Sequence, residues 1–187
     1  MLPSKALLDP MVGEAYAHVQ GESLKAYAAL LVRLLNSPVT SLGWTMKRAQ
    51  GKLQELLHLW QARREGRAMP ARGDLPVTAL RPWLGHLALI DLTGDVPYFR
   101  LCGTALHTRF GGEMTGQPLD AIEDFSGRSV LRDIIEKVRE SKAPAHATYA
   151  LPQPGGIITF HEICVPLAHD GEQPDTVLFA SYAESRR

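Results

Sequence analysis

The chain has 187 residues, 45% of them hydrophobic and 21% charged, ordinary globular proportions with enough apolar side chain to bury a core, so wholesale disorder is excluded. Lysine plus arginine and aspartate plus glutamate number 20 each, which leaves no net field to draw the protein to nucleic acid or to an anionic membrane. The two cysteines, Cys102 and Cys164, stand far apart without CxxC spacing and signal neither a zinc site nor a disulfide framework.

The opening MLPSKALLDP lacks the basic start and apolar run of a secretory signal, and no stretch has the apolar length to cross a bilayer, so a cytoplasmic location is expected. The first third reads as helical. Asp9 and Pro10 resemble a cap and first-turn proline, and Val12, Ala15, Tyr16 and Val19 follow at helical spacing. After Gly21 and Ser23, Leu24, Tyr27, Leu30, Leu31, Leu34 and Leu35 form an apolar stripe that stops at Asn36, Ser37 and Pro38. So rich a stripe needs cover, and a homodimer packed through Leu24, Tyr27, Leu31 and Leu34 is expected. A second helical run begins near Thr45, carries Leu53, Leu56, Leu57 and Trp60 on one face, and ends around Gly66. Arg63, Arg64, Arg67 and Arg72 cluster at its end and read as a solvated helix terminus that complements the dipole. Residues 67–76, with Pro70, Gly73 and Pro76, have connector composition, which places a boundary between a helical region, 1–66, and a domain, 67–187.

From Trp83 the period changes from helical to strand-like. Residues 87–92 and 98–102 are short apolar runs joined by Thr93-Gly94-Asp95, the pattern of a hairpin. Residues 105–110, a loop with Gly111, Gly112 and Gly116, and residues 119–125 predict brief helices between turns. Gly103 and Gly116 fall where a chain leaves a strand or turns tightly, positions that suit glycine's tolerance of positive φ. Ser126 then caps the clearest helix, with Val130, Leu131, Ile134, Ile135 and Val138 on its apolar face, and Lys142-Ala143-Pro144 ends it. Residues 145–151, 157–167 and 176–183 predict three more strands, linked by turns around Pro154-Gly155-Gly156 and Asp170-Gly171. Connections this short make the sheet antiparallel, except across the helical middle. The fold class is α+β: five antiparallel strands with short helices on one face, preceded by an N-terminal helical region.

Several tracts, in this order, resemble a PAS family of bacterial proteins best known from alphaproteobacteria. They are Trp83-Leu84-Gly85-His86-Leu87-Ala88-Leu89-Ile90-Asp91, Phe99-Arg100-Leu101-Cys102-Gly103-Thr104-Ala105-Leu106, and Phe110-Gly111 through Thr115-Gly116-Gln117-Pro118-Leu119. Leu59-Trp60-Gln61-Ala62-Arg63-Arg64, Met69-Pro70-Ala71-Arg72 and Leu80-Arg81-Pro82-Trp83 resemble that family's leading segment. The likeness spans residues 56–183 and leaves the region before Thr45 unexplained. It implies a sensor or adaptor that acts through contacts, with a small-molecule ligand and a signalling protein as the expected partners, and neither nucleic acid nor membrane among them.

Trp83, Leu101, Phe110, Ile122, Phe125, Ile134, Phe160 and Ile163 are expected near the space between sheet and helices, with His107 and Tyr149 as polar handles of a ligand pocket. A filled core and an open pocket fit the same residues. His161 and Glu162 are neighbours on a strand, point to opposite faces and cannot act together. His161 as a haem or metal ligand lacks partners at recognisable spacing, and neither cysteine has a base beside it in sequence. Arg100 in its strand suits pairing with Asp91 across the hairpin. No catalytic residue, metal ligand or required cofactor is signalled. The alternative is a small pocket enzyme or hydrophobic-ligand carrier of another α+β fold, with Asp91 or Glu162 as base.

Overall fold

The structure, a computed structural model, describes residues 43–122, 125–153 and 156–186. The chain divides into two units, Met1–Gly43 and Trp44–Arg187, and the sheet belongs to the second. The expectations for Asp9 through Pro38, including the dimer contacts of Leu24, Tyr27, Leu31 and Leu34, lie outside the described residues.

Helix α1, Gly43–Arg63, buries Ala49, Leu53, Leu56 and Trp60, whose spacing of three to four residues puts them on one face. The backbone turns left-handed at Glu65 and Gly66, with φ of 50° and 83°. The Arg67 guanidinium folds back onto the carbonyls of Arg64 at 3.1 Å and Arg63 at 3.2 Å, oxygens that a helix end leaves without intrahelical partners. At least one arginine of the basic cluster is therefore spent on the helix terminus. A connector follows, with α2, Val77–Leu80, between two 3-10 turns at Arg72–Asp74 and Arg81–Trp83.

Strands β1 (Leu87–Asp91), β2 (Tyr98–Cys102), β3 (Ala145–Gln153), β4 (Gly156–Leu167) and β5 (Thr176–Arg186) form one sheet in the order β2-β1-β5-β4-β3, antiparallel throughout. The five strands fall where the apolar runs and their turn residues placed them. Between β2 and β3 come a 3-10 turn (Thr104–Leu106), α3 (His107–Phe110), a second turn (Leu119–Ala121) and α4 (Phe125–Ser141). Helix α4 opens at Phe125, just ahead of the serine expected to cap it, and ends where Lys142 adopts a φ of 54°.

Both faces of the sheet are covered. Leu131, Ile134, Ile135 and Val138 of α4 pack with Phe99, Phe110, Phe179, Ile90 and Cys164 on one side. On the other, Leu53, Leu56 and Trp60 of α1 pack with Leu87, Leu89, Ile163, Val165, Leu167 and Leu178. Because side chains alternate along a strand, each central strand divides its residues between two apolar layers. All five residues of β1 are buried for this reason.

The connector composition of residues 67–76 placed the boundary after Gly66. Helix α1, which precedes it, packs on the sheet, and the compact unit begins at Trp44. Trp60 anchors this packing: it is buried, and its indole Nε1 donates to the Pro166 carbonyl at 2.6 Å. Trp60→Phe removes the donor and leaves a buried acceptor unmatched, so a loss of about 1–3 kcal/mol in urea unfolding is expected. Stability equal to that of wild type would show the bond to be dispensable.

Candidate functional site

Arg109 on α3 is buried and points at the strands. Glu162, fully buried in the middle of β4, lies opposite Ala147 of β3 and Ser181 of β5, with Tyr149 two residues further along β3. Glu162, Ser181 and Tyr149 share the face that looks toward α3 and α4, because each is an even number of residues from a core neighbour on its own strand. Arg109 Nε donates to Glu162 Oε1 at 2.9 Å; the Tyr149 hydroxyl donates to the same oxygen at 3.0 Å and the Ser181 hydroxyl at 3.1 Å. Arg109 Nη2 donates to the Tyr149 oxygen and, at 3.2 Å, to the Gly127 carbonyl of α4. Among the described residues Glu162 Oε2 has no hydrogen-bond partner.

Aromatic rings enclose the guanidinium, whose carbon lies 5.0 Å from the ring centre of Phe160, 5.3 Å from Phe110 and 5.6 Å from Tyr149. Stacking on ring faces stabilises a cation withdrawn from water. Burial, and then the charge of Glu162, push the Tyr149 hydroxyl well above the ordinary tyrosine range, so it keeps its proton and donates it to the carboxylate. One polar cluster, made of an arginine, a carboxylate and two hydroxyls, is thus held inside an otherwise apolar layer.

The residues expected to line this space divide between the two faces. Phe110, Ile122 and Ile134 are buried in the layer beneath α4, where Phe110 sits between Phe99 and Phe179 at ring distances of 5.1 and 5.9 Å. Tyr149 and Phe160 stack on each other beside Arg109, 5.5 Å apart. Phe125 begins α4, and its side chain lies outside the description.

Trp83, Leu101 and Ile163 require correction, because they belong to the opposite face. Ile163 is out of phase with Glu162 and Cys164 and packs under α1, and Trp83 joins the same layer, its indole donating to the Lys52 carbonyl at 2.7 Å. A bulge sets the phase of β2: Leu89 pairs with Leu101 and Ile90 with Phe99, leaving Arg100 as the extra residue. Leu101 is 50% exposed and lines an open apolar groove of about 440 Å³ together with Val77, Leu84, Leu87 and Leu89. His107, expected as a polar handle beside Tyr149, instead places its Nε2 2.9 Å from Glu113 Oε2.

His161 and Glu162 do face opposite ways: His161 lies on the α1 side, its Nδ1 3.2 Å from the Thr148 hydroxyl and its Nε2 3.6 Å from Glu184. The sequence reading did not single out Arg109 or Ser181. An arginine next to Phe110-Gly111 in a short helix looks like one that stays wet, and its partner lies 53 residues away. The one available signal was Glu162 itself, the single acidic residue of β4.

The other candidate base, Asp91, is buried and pairs with Arg100 Nε at 2.6 Å, as its place in the hairpin implied. Burial works to raise its pKa, but hydrogen bonds from the Thr93 hydroxyl and N–H and from Arg100 outweigh it, and the carboxyl is held below the usual aspartate range. A lowered folded-state pKa contributes stability above the unfolded value of about 3.9, and that contribution is lost as pH falls through the folded value. Asp91→Asn should therefore cost about 2 kcal/mol at neutral pH, with the gap from wild type narrowing below about pH 4. Urea unfolding across that range checks it, and a pH-independent gap would count against the pairing. Burial pushes the Cys102 thiol up to about 11 and that of Cys164 well above the ordinary range, so both thiols are protonated at neutral pH.

Five antiparallel strands, a helical layer on each face and an internal polar cluster beneath one of them define an α+β sheet-and-helix domain. The sequence profile of the PAS domain matches residues 46–180, and the chain belongs to that family, whose domains are typically sensory rather than catalytic. Among solved structures, the LOV protein of Rhodobacter sphaeroides is similar at 11% identity and a TM-score of 0.42, over 72% of this chain and 67% of that one. The PAS domain of a protein from Colwellia psychrerythraea is similar at 16% identity and a TM-score of 0.42, over 60% of this chain and 100% of that one. No curated protein sequence matches the chain. Among the described residues no helix is long and apolar enough to cross a membrane.

Proposed function

We propose that this protein is a non-catalytic sensory regulator of the cytoplasm, which binds a small ligand at the Arg109–Glu162–Tyr149–Ser181 cluster or a signalling protein, and dimerises through its helices. The observation that carries the reading is the buried ion pair in an apolar layer. Such a pair contributes little net stability compared with apolar side chains of equal volume, because desolvation offsets its attraction. A ligand with an apolar body and one carboxylate or hydroxyl gives the pair a use, since it can trade hydrogen bonds with Arg109, Tyr149 and the unmatched Glu162 oxygen. Helices α3 and α4 both touch the cluster, through Arg109 and the Gly127 carbonyl, so occupancy bears directly on the helical layer. The leucine-rich stripe from Leu24 to Leu35 supports the dimer, and balanced charge argues against nucleic acid and membrane as partners.

Native mass spectrometry of freshly purified protein tests subunit number and retained ligand together. The expected spectrum is a dimer carrying a small molecule, with the ligand held about tenfold less tightly in Tyr149→Phe, which lacks the hydroxyl offered to it. A bare monomer whose thermal unfolding is unmoved by a panel of small amphiphilic carboxylates and alcohols would overturn the reading.

A further inference from the structure

Outside the interior cluster, three side chains of different donor chemistry converge where β2 hands over to the helical segment. Cys102 ends β2, His107 opens α3, and Glu113 follows the left-handed turn at Gly111, whose φ is 84°. The thiol sulfur, one imidazole nitrogen and one carboxylate oxygen all lie within 4.8 Å of one another. From these residues we infer a binding site for a divalent transition-metal ion of the zinc type, with Cys102, His107 and Glu113 as its three protein ligands and a fourth position open to solvent.

The donor set suits zinc, which takes thiolate, imidazole and carboxylate in tetrahedral sites, binds three protein ligands where one position is left open, and would release the Cys102 thiol proton to solvent on binding. Zinc bond lengths of about 2.0–2.3 Å put tetrahedral ligand atoms roughly 3.5 Å apart, so the three donors need to move by about an ångström. Two features show preparation beyond mere proximity. His107 Nε2 is shielded from solvent and, among the described residues, forms no well-aligned hydrogen bond, although Glu113 Oε2 is 2.9 Å away. The other carboxylate oxygen of Glu113 is fixed by the Thr115 N–H at 2.8 Å and hydroxyl at 2.7 Å, and the Thr115 hydroxyl accepts the Cys102 N–H at 3.0 Å. Thr115 thereby holds two of the three ligand residues in register, the arrangement by which outer partners orient metal ligands. The spacing C-x4-H-x5-E carries no familiar zinc signature because the ligands come from a strand end, a helix start and a loop. Helix α3 carries both His107 and Arg109, so the metal and the interior cluster share one rigid element.

Titrating tag-free protein with cobalt(II) as the optical probe tests the site. One equivalent should give the intense visible bands of four-coordinate cobalt and a near-ultraviolet thiolate charge-transfer band, both abolished by zinc. Cys102→Ser should lose the charge-transfer band, and Glu113→Gln and His107→Asn should each weaken zinc binding at least tenfold, with Thr115→Val about tenfold weaker through loss of orientation. Glu113 is largely exposed, so Glu113→Gln is expected to unfold at the wild-type temperature, which separates ligand loss from misfolding. Absence of a cobalt spectrum in the wild type, or equal zinc affinity in wild type and Glu113→Gln, would overturn the assignment.

Discussion

Arg109→Leu is expected to cost about 3–5 kcal/mol in denaturant unfolding, the range for removing one member of a buried ion pair. The substitution leaves the Glu162 carboxylate fully buried with only the Tyr149 and Ser181 hydroxyls to solvate it, and it removes a cation from the faces of three aromatic rings. A double variant discriminates between mechanisms. In Arg109→Leu/Glu162→Leu no charge of the pair is left behind, so the loss should be well below the sum of the two single losses. Additive losses would mean that the two side chains act as separate packing elements, and the cluster would then have no claim to be a coupled site. Ligand binding by the double variant should be lost even where stability is largely recovered, which is the pattern expected of a polar site set in a scaffold that does not need it.

Gly103→Ala should be more damaging than the same change at Gly85 or Gly111, at about 3 kcal/mol or more, the upper range for overpacking. A Cβ at this position would stand 2.4 Å from the Gly85 carbonyl oxygen, 2.6 Å from its carbon and 2.9 Å from its Cα. All three are backbone atoms, and neither chain can retreat freely. Gly103 N–H donates to Leu87 O at 2.8 Å, and Gly85 O accepts the Ala105 N–H at 2.9 Å. Gly85 itself has a φ of 91°, so the crossing needs two glycines for two reasons, close approach at Gly103 and a left-handed backbone at Gly85. Gly85→Ala, with only ordinary contacts at 3.8 and 3.9 Å, should cost about 1–2 kcal/mol from backbone strain. Gly111→Ala, strained but in open space, should fall in the same range. Thermal unfolding of the three variants ranks them, and a Gly103→Ala protein no less stable than Gly111→Ala would mean that the crossing opens more easily than its hydrogen bonds imply. Because this crossing joins the start of β1 to the segment bearing Cys102 and His107, its rigidity also holds the metal ligands.

The order of elements could be read from local chemistry alone. Short apolar runs bounded by Thr93-Gly94-Asp95 and Asp170-Gly171 are enough to place strands, and the stripe from Val130 to Val138 is enough to place α4, because hydrogen bonding and side-chain periodicity act over a few residues. The Asp91–Arg100 pair could be read for the same reason, since a hairpin brings its own ends together. Which face each strand residue occupies could not. From Phe160 to Leu167 every residue of β4 is buried, and its polar residues His161 and Glu162 are neighbours on opposite faces, so polarity does not mark the phase, and Ile163 reads like its neighbours although it packs under α1. The bulge at Arg100 shifts β2 by one residue and carries Leu101 to the opposite side, a displacement that composition does not record. Gly103 suited a turn by its place in the chain, but what requires a glycine there is the Gly85 backbone crossing it. The pairing of Arg109 with Glu162 across 53 residues, and the meeting of Cys102, His107 and Glu113, were decided by the closing of the helical segment over the sheet. Local patterns determine what each segment becomes; which charges and donors then share one volume depends on the relative placement of segments, which only the folded chain specifies.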